Sequence, residues 1–207
     1  MTIVNPVAKS KTNKYILQVA LGVLKERVGA ERAAERASGR GRPAFKPLAV
    51  VFDIDGTAIY NHTANEGHRR NPDLYAIYDY AIRNNIDVFF LTARPDSQGN
   101  RDFTVNDLAK SGYLPGTYRA LIMRPPRETS ANYSPYKYRK RQEIAGLYNL
   151  LMSVGDTKYD MVEWTPSGRV KNQISHGIVE QLKPGNAYVL VLPDTVPSIN
   201  IKLREEA

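Results

Sequence analysis

Five consecutive apolar residues, Leu48-Ala49-Val50-Val51-Phe52, run directly into Asp53-Ile54-Asp55-Gly56-Thr57. An extended chain alternates its side chains between two faces, so a run without a polar residue has to be covered on both sides. That is the condition of an interior strand in a parallel sheet. Side chains two residues apart point the same way, so Asp53 and Asp55 emerge together where the buried strand meets a loop. Two carboxylates facing one phosphorus can divide the roles of nucleophile and proton donor between them. Gly56 lets the chain turn sharply behind them. Acids at the carboxyl ends of parallel strands also occur in α/β proteins that only bind ligands or ions there, so the rest of the chain has to decide.

Short apolar runs continue to alternate with helical patterns. The pattern predicts strands over 48–53, 86–91, 120–123, 150–154 and 187–192. It predicts helices over 73–84, 102–111, 137–148 and 171–182. The helix over 73–84 is the best specified: Asn71 is its N-cap, Pro72 its first residue, and Leu74, Ile77, Tyr78, Ala81 and Ile82 share one face. The expected fold class is therefore α/β, a mainly parallel five-stranded sheet with helices on both faces. Residues 124–136, rich in Pro, Ser, Thr and Tyr, read as a long surface loop.

The chain has 207 residues, enough for one substantial core, and no composition break divides residues 47–207, which are expected to form a single domain. Its net charge of +8 is concentrated before that domain: residues 1–47 hold ten Lys/Arg and three Glu, leaving nineteen basic and eighteen acidic residues beyond. Residues 1–46 read as a basic helical extension. It carries an apolar stripe, Leu17, Leu21, Leu24 and Val28, and ends in a glycine- and proline-punctuated linker, Ser38 to Pro43. Such a stripe suits a docking or homo-oligomerising helix. The run Tyr15 to Leu24 is too short to span a membrane, and Lys25-Glu26-Arg27 falls where a signal peptide would be cleaved, so the expected location is intracellular rather than secreted. The chain contains no cysteine, which excludes disulfide frameworks, thiolate zinc sites and thiol nucleophiles.

Further chemistry falls at the ends of successive elements, where the ligand crevice of an open parallel sheet lies. Thr92 ends the second strand, and its hydroxyl with the backbone N–H of Ala93 can hold a phosphate oxygen. Lys137, after the long loop, can neutralise charge on a transferring phosphoryl group. Gly155-Asp156 ends the fourth strand and is followed by Asp160, and hard carboxylate oxygens suit Mg²⁺. Singly, a strand-terminal threonine, a lysine opening a helix and a Gly-Asp turn are ordinary local structure. Their joint occurrence, in this order and at these positions, favours phosphoryl chemistry.

In these residues the chain resembles the haloacid dehalogenase (HAD) superfamily of phosphatases, whose four motifs match Asp53 to Thr57, Leu91-Thr92, Lys137, and Gly155-Asp156 through Asp160. It is most similar to the acid phosphatase branch, which includes class B and class C acid phosphatases and plant vegetative storage proteins. Phe90-Leu91-Thr92-Ala93-Arg94-Pro95, Leu121 to Arg124, Tyr136-Lys137 with Arg141, and Val191 to Asp194 echo that branch. The glycine at Gly56 departs from it, since the branch usually carries Glu there. The resemblance implies a Rossmann-like HAD fold. It implies that Asp53 attacks phosphorus to give a phosphoaspartyl enzyme, and that Asp55 protonates the leaving oxygen and later activates water. Thr92, Ala93 and Lys137 would then bind the phosphoryl group. Asp156, one oxygen of Asp53 and the backbone carbonyl of Asp55 would hold Mg²⁺, with Asp160 as a further ligand or a partner just outside the coordination sphere.

Caps that set substrate selectivity in this superfamily are inserted after the first or second motif. Here 37 residues separate Asp55 from Thr92 and 45 separate Thr92 from Lys137, too few for a large cap beside the expected elements. An open site follows, with His62, Arg94, Tyr136 and Arg141 as rim residues. The expected substrates are phosphate monoesters, nucleotides among them. Tyr113, Tyr118, Tyr133, Tyr136 and Tyr138 interleave with Arg119, Arg124, Arg127, Arg139, Lys140 and Arg141, which suits stacked bases and nucleic-acid ends as well as it suits ordinary packing. A polynucleotide 3′-end phosphatase is the nearest rival. A receiver-like phosphoacceptor is disfavoured by motif order, and a non-catalytic binding protein by the presence of every motif position.

Overall fold

The computed structural model describes residues 6–38, 45–60, 69–128, 133–156, 160, 163–164, 170–172, 179–183 and 186–190. In chain order the helices are α1 (Pro6–Ala37), α2 (Pro72–Arg83), α3 (Gln98–Lys110) and α4 (Tyr133–Leu147). The strands are β1 (Leu48–Phe52), β2 (Ile59–Tyr60), β3 (Arg69–Arg70), β4 (Asp87–Pro95), β5 (Ala120–Arg124), β6 (Asn149–Gly155), β7 (Glu163–Trp164), β8 (Val170–Asn172), β9 (Val179–Lys183) and β10 (Asn186–Leu190).

Six strands form the main sheet, in the order β5-β4-β1-β6-β10-β9. The first five are mutually parallel and are the five expected from sequence, while β9 adds an antiparallel edge. The apolar strand β1 is central and its residues divide by parity. Val50 and Phe52 join Val88 and Phe90 of β4 under α1, α2 and Leu108 of α3, whereas Ala49 and Val51 join Phe89 and Leu91 under Tyr136 and Ile144 of α4. The chain steps from β1 to β4 to β5 in one direction and returns past β1 to β6. Right-handed crossovers therefore put α2 and α3 on one face and α4 on the other. That reversal leaves a crevice at the carboxyl ends of β1, β4 and β6.

The helix α2 forms as its sequence predicts: the Asn71 side chain accepts hydrogen bonds from the N–H groups of Asp73 and Leu74, with Pro72 first in the helix. The basic helix α1 is docked on its own chain. Ile16, Leu17, Ala20, Leu24 and Val28 are buried in the same core as Val50 and Phe52, and α1 touches α2, β6, β9 and β10. Its cations are also engaged: Arg27 donates to the Leu151 carbonyl, Arg32 to the side chain and carbonyl of Asn84, and Lys25 lies over the Tyr80 ring. If α1 belongs to the core, Leu24→Ala costs about 2–5 kcal/mol in chemical denaturation. A loss below about 0.5 kcal/mol, typical of surface substitutions, would show an appended arm instead.

The helix expected over 171–182 is overturned, since β8 and β9 occupy its two ends and β9 pairs with β10. Val170, Ile174, Ile178 and Leu182 recur at four-residue spacing and imitate a helix face. The stronger signals were Gly177 within the run and Pro184-Gly185 beyond it, the punctuation of a strand that returns along the open edge of β10. Helix α4 also starts earlier than expected, at Tyr133, so Lys137 lies in its second turn. Pro135 falls in the first turn, where its missing N–H costs nothing. Among the described residues no helix is long and apolar enough to cross a membrane.

Candidate active site

The site is built at the ends of three adjacent strands. The Asp53 N–H bonds to the Val154 carbonyl at 2.9 Å, extending the β1–β6 ladder and pinning Asp53 between the two strands. The chain then turns on itself, with Gly56 N–H to Ile59 carbonyl at 2.9 Å and Ile59 N–H to Ile54 carbonyl at 2.9 Å. Gly56 has φ of 75°, and a Cβ there would lie 2.3 Å from Oδ2 of Asp156. Glycine is thus required twice over, by conformation and by the close approach of Asp156, which accounts for the absence of Glu here. At Gly155 a Cβ would lie 2.3 Å from the Cβ of Asp160, so that glycine admits the second acid.

Asp53, Asp156 and Asp160 are all buried, and their carboxylates offer oxygens within 4.8 Å of one another. Lys137, also buried, reaches in from α4, donating to Oδ1 of Asp53 at 2.6 Å and to Oδ1 of Asp160. Thr57 donates to Oδ2 of Asp53 at 3.4 Å. Three buried carboxylates crowd around the Lys137 ammonium, and burial of charge without full compensation is costly. This cost appears in the ionisation of Asp53. Burial pushes its carboxyl up to about 7, Lys137 opposing the rise and Asp160 and Asp55 adding to it. Burial acts to lower the Lys137 ammonium, but Asp160 and Asp53 outweigh it and hold it above the usual lysine value. An acidic pocket of oxygen donors fits a hard divalent cation in both charge and donor type.

Asp55 lies apart from this triad. Its side chain is 39% exposed and is held by Arg94, with Nη2 to Oδ1 at 2.7 Å and Nε to Oδ2 at 3.0 Å. The hydroxyl of Thr92 lies 3.5 Å from the other side of the same carboxylate and accepts the Arg94 N–H at 3.1 Å. The strand β4 runs on through Pro95, so Thr92 and Arg94 project together beside Asp53 and Asp55, which follow β1. Arg124 donates to the Ala93 carbonyl at 3.0 Å and so fixes the peptide that follows Thr92.

The structure thus brings Asp53, Asp55, Thr92, Lys137, Asp156 and Asp160 together as expected, and it corrects the rim. Arg94 is engaged with Asp55 rather than spread along the edge. Tyr136 is buried in the α4-side core, its hydroxyl donating to the Met123 carbonyl at 2.5 Å. Arg141, one turn beyond Lys137, is also buried. His62 lies outside the described residues. Tyr113 is buried, with its hydroxyl on the Ala58 carbonyl at 3.2 Å, and the Tyr118 ring packs edge-on against Phe90. Tyr136 and Tyr113 are core and Tyr118 is half-buried against it, because aromatic side chains beside a sheet bury more area than they could gain as an exposed platform. Sequence reasoning missed Thr104 and Asp107 as supporting residues, and named Thr57 and Arg124 without their roles of bonding Asp53 and the Ala93 carbonyl. The spacing of Thr104 and Asp107, three apart on one helix face, was the available signal.

A lysine-bridged acid cluster at the switch point of a parallel sheet is the arrangement of a Rossmann-like phosphohydrolase. The family model for HAD superfamily, subfamily IIIB (acid phosphatase), matches residues 60–196, and the chain belongs to that family of phosphatases. The matched span begins after Asp53 to Thr57 and contains Thr92, Lys137, Asp156 and Asp160. Among solved structures the fold is similar to a class C acid phosphatase from Bacillus anthracis with tungstate bound, with TM-score 0.51 and 15% identity. The likeness covers 71% of this chain and 64% of that one, so this chain spans under two thirds of that protein. Two Pnkp1/Rnl/Hen1 RNA repair complexes show partial likeness, with TM-scores 0.47 and 0.48 and identities of 20% and 21%; each covers 60% of this chain, and 42% and 44% of theirs. No curated protein matches.

Proposed function

We propose that this phosphatase is a Mg²⁺-dependent phosphomonoesterase that hydrolyses small phosphate monoesters, nucleotides among them, through a phosphoaspartyl intermediate on Asp53. The observation that carries the reading is the buried triad Asp53, Asp156 and Asp160 with Lys137 bonded to two of its members, set beside the separately held Asp55. Asp156, Asp160 and one oxygen of Asp53, with the backbone carbonyl of Asp55, are the groups that would hold Mg²⁺. When bound, the ion would supply charge neutralisation between Asp53 and an incoming phosphate dianion. Asp53 is the nucleophile because it is the acid fixed between β1 and β6 and touched by Lys137. Asp55, the more exposed, faces the leaving group. Thr92, the Ala93 N–H and Lys137 hold the phosphoryl oxygens.

The same site with a polynucleotide end as substrate is less favoured, because Tyr113 and Tyr136 are buried, Tyr118 is half-buried against the core, and Arg27 and Arg32 of α1 bond to their own chain. Phosphate release with Mg²⁺ should therefore be faster from p-nitrophenyl phosphate and a nucleoside 5′-monophosphate than from an oligonucleotide bearing a 3′-phosphate. Turnover confined to the oligonucleotide would overturn the small-ester reading, and no turnover of any of the three by folded protein would overturn the hydrolase reading itself.

A further inference from the structure

We infer that Asp107, buried on α3, is a positioning residue that acts through Arg94 to aim Asp55 at the leaving group. The inference rests on the reading of Asp55 as the acid–base residue. Asp55 follows the buried strand and precedes the Gly56 turn, so the backbone alone leaves its carboxylate to be oriented by side chains. Arg94 does this from two nitrogens, Nε and Nη2, which fixes the plane of the carboxylate as well as its position.

A long guanidinium can aim another group only if it is itself held. The remaining nitrogen, Nη1, donates to Oδ2 of Asp107 at 3.0 Å and to Oγ1 of Thr104 at 3.2 Å. The Thr104 hydroxyl gives its own proton to the Asn100 carbonyl at 2.7 Å, which leaves a lone pair for Arg94. Exposure rises along the chain of contacts, with side chains 2% exposed at Asp107, 18% at Arg94 and 39% at Asp55. The relay is anchored in the interior at α3 and ends at the mouth of the site. Its charges alternate from Asp107 to Arg94 to Asp55, so removing the inner acid frees the cation to swing with the outer one.

The consequence depends on the substrate. In the first half-reaction an Asp53 oxygen bonds to phosphorus as the ester P–O bond breaks, and the Asp55 proton passes to the departing oxygen. In the second, the Asp55 carboxylate takes a proton from the water that attacks phosphorus, the Asp53–phosphorus bond breaks, and inorganic phosphate leaves. An alkoxide cannot depart without that proton, whereas p-nitrophenolate can. Misplacement of Asp55 therefore penalises the first half-reaction only for the poor leaving group and the second for both.

Steady-state kinetics with glycerol 2-phosphate and p-nitrophenyl phosphate test this on wild type, Asp107→Ala, Asp107→Asn and Arg94→Lys, with melting temperatures recorded. For Asp107→Ala and Arg94→Lys, kcat/KM for glycerol 2-phosphate should fall by about 100-fold, the scale of a misplaced group. For p-nitrophenyl phosphate kcat/KM should fall far less, while kcat falls on both esters. Asp107→Asn, which keeps an acceptor for Arg94, should recover part of the loss. Equal losses of kcat/KM on the two esters would overturn the inference, as would an unchanged ratio in Arg94→Lys if Asp107→Ala fails to fold. Failure of wild type on both esters would instead remove the underlying acid–base reading.

Discussion

Asp53→Asn lowers turnover of p-nitrophenyl phosphate by roughly 10⁵-fold or more, the scale of a lost nucleophile, while the metal-free protein melts no earlier than wild type. The amide fills the same space between β1 and β6 and keeps the backbone bond to Val154, but it cannot form the acyl phosphate. Stability moves the other way for an electrostatic reason. The Asp53 carboxyl is raised from 3.8 to about 7 in the fold, burial being the largest cause. A group raised in the folded state contributes stability that is full below its unfolded value and is lost as pH rises through its folded value. Wild type without metal should therefore lose stability between pH 3.8 and about 7, and Asn, neutral at every pH, should not share that loss. Turnover within about tenfold of wild type in this variant would remove Asp53 from the nucleophile's role.

Chelation of divalent cations should lower turnover by about 10³-fold, since a cation at a phosphoryl oxygen supplies several kcal/mol of transition-state stabilisation. Added Mg²⁺ should restore it. The same triad predicts how affinity responds to acid. The ion has to displace the proton that burial favours on Asp53, so apparent affinity should fall about tenfold for each pH unit below about 7. Calorimetric titration of Mg²⁺ across that range reads both affinity and proton release. Affinity flat in pH, with no protons released, would mean that Asp53 is not part of the cation's coordination.

Much of the catalytic centre was legible because it depends on local pattern. An apolar five-residue run leading into a glycine turn reads as an interior strand, and alternation then puts Asp53 and Asp55 at its exit, while Thr92, expected to end the neighbouring strand, lies within β4, which runs on through Pro95. Asp156 followed from the same logic of element ends, whereas Lys137, expected to open a helix, lies in the second turn of α4. What escaped was set by contacts distant in sequence. Tyr136 and Arg141 lie in the stretch Tyr133 to Arg141, rich in rings and cations, and only the docking of α4 shows that these two side chains turn inward. Arg94 reads as a surface cation until α3 delivers Asp107 to its far side. The β8–β9 region was misread because four-residue spacing and a returning edge strand make competing demands on the same apolar residues. The stripe on α1 was visible, but which surface it covers was decided by the face that α2 and α3 leave open over β6 and β10.

Covalent capture on Asp53 tests the central claim most directly. Acid-quenched protein taken during turnover of p-nitrophenyl phosphate with Mg²⁺, digested and analysed by mass spectrometry, should carry one phosphoryl group on the peptide containing Asp53. The adduct should accumulate in Asp55→Asn, where water is no longer activated, and be absent from Asp53→Asn. A phosphoryl group on another residue, or an Asp55→Asn enzyme that turns over at the wild-type rate without any adduct, would contradict the account.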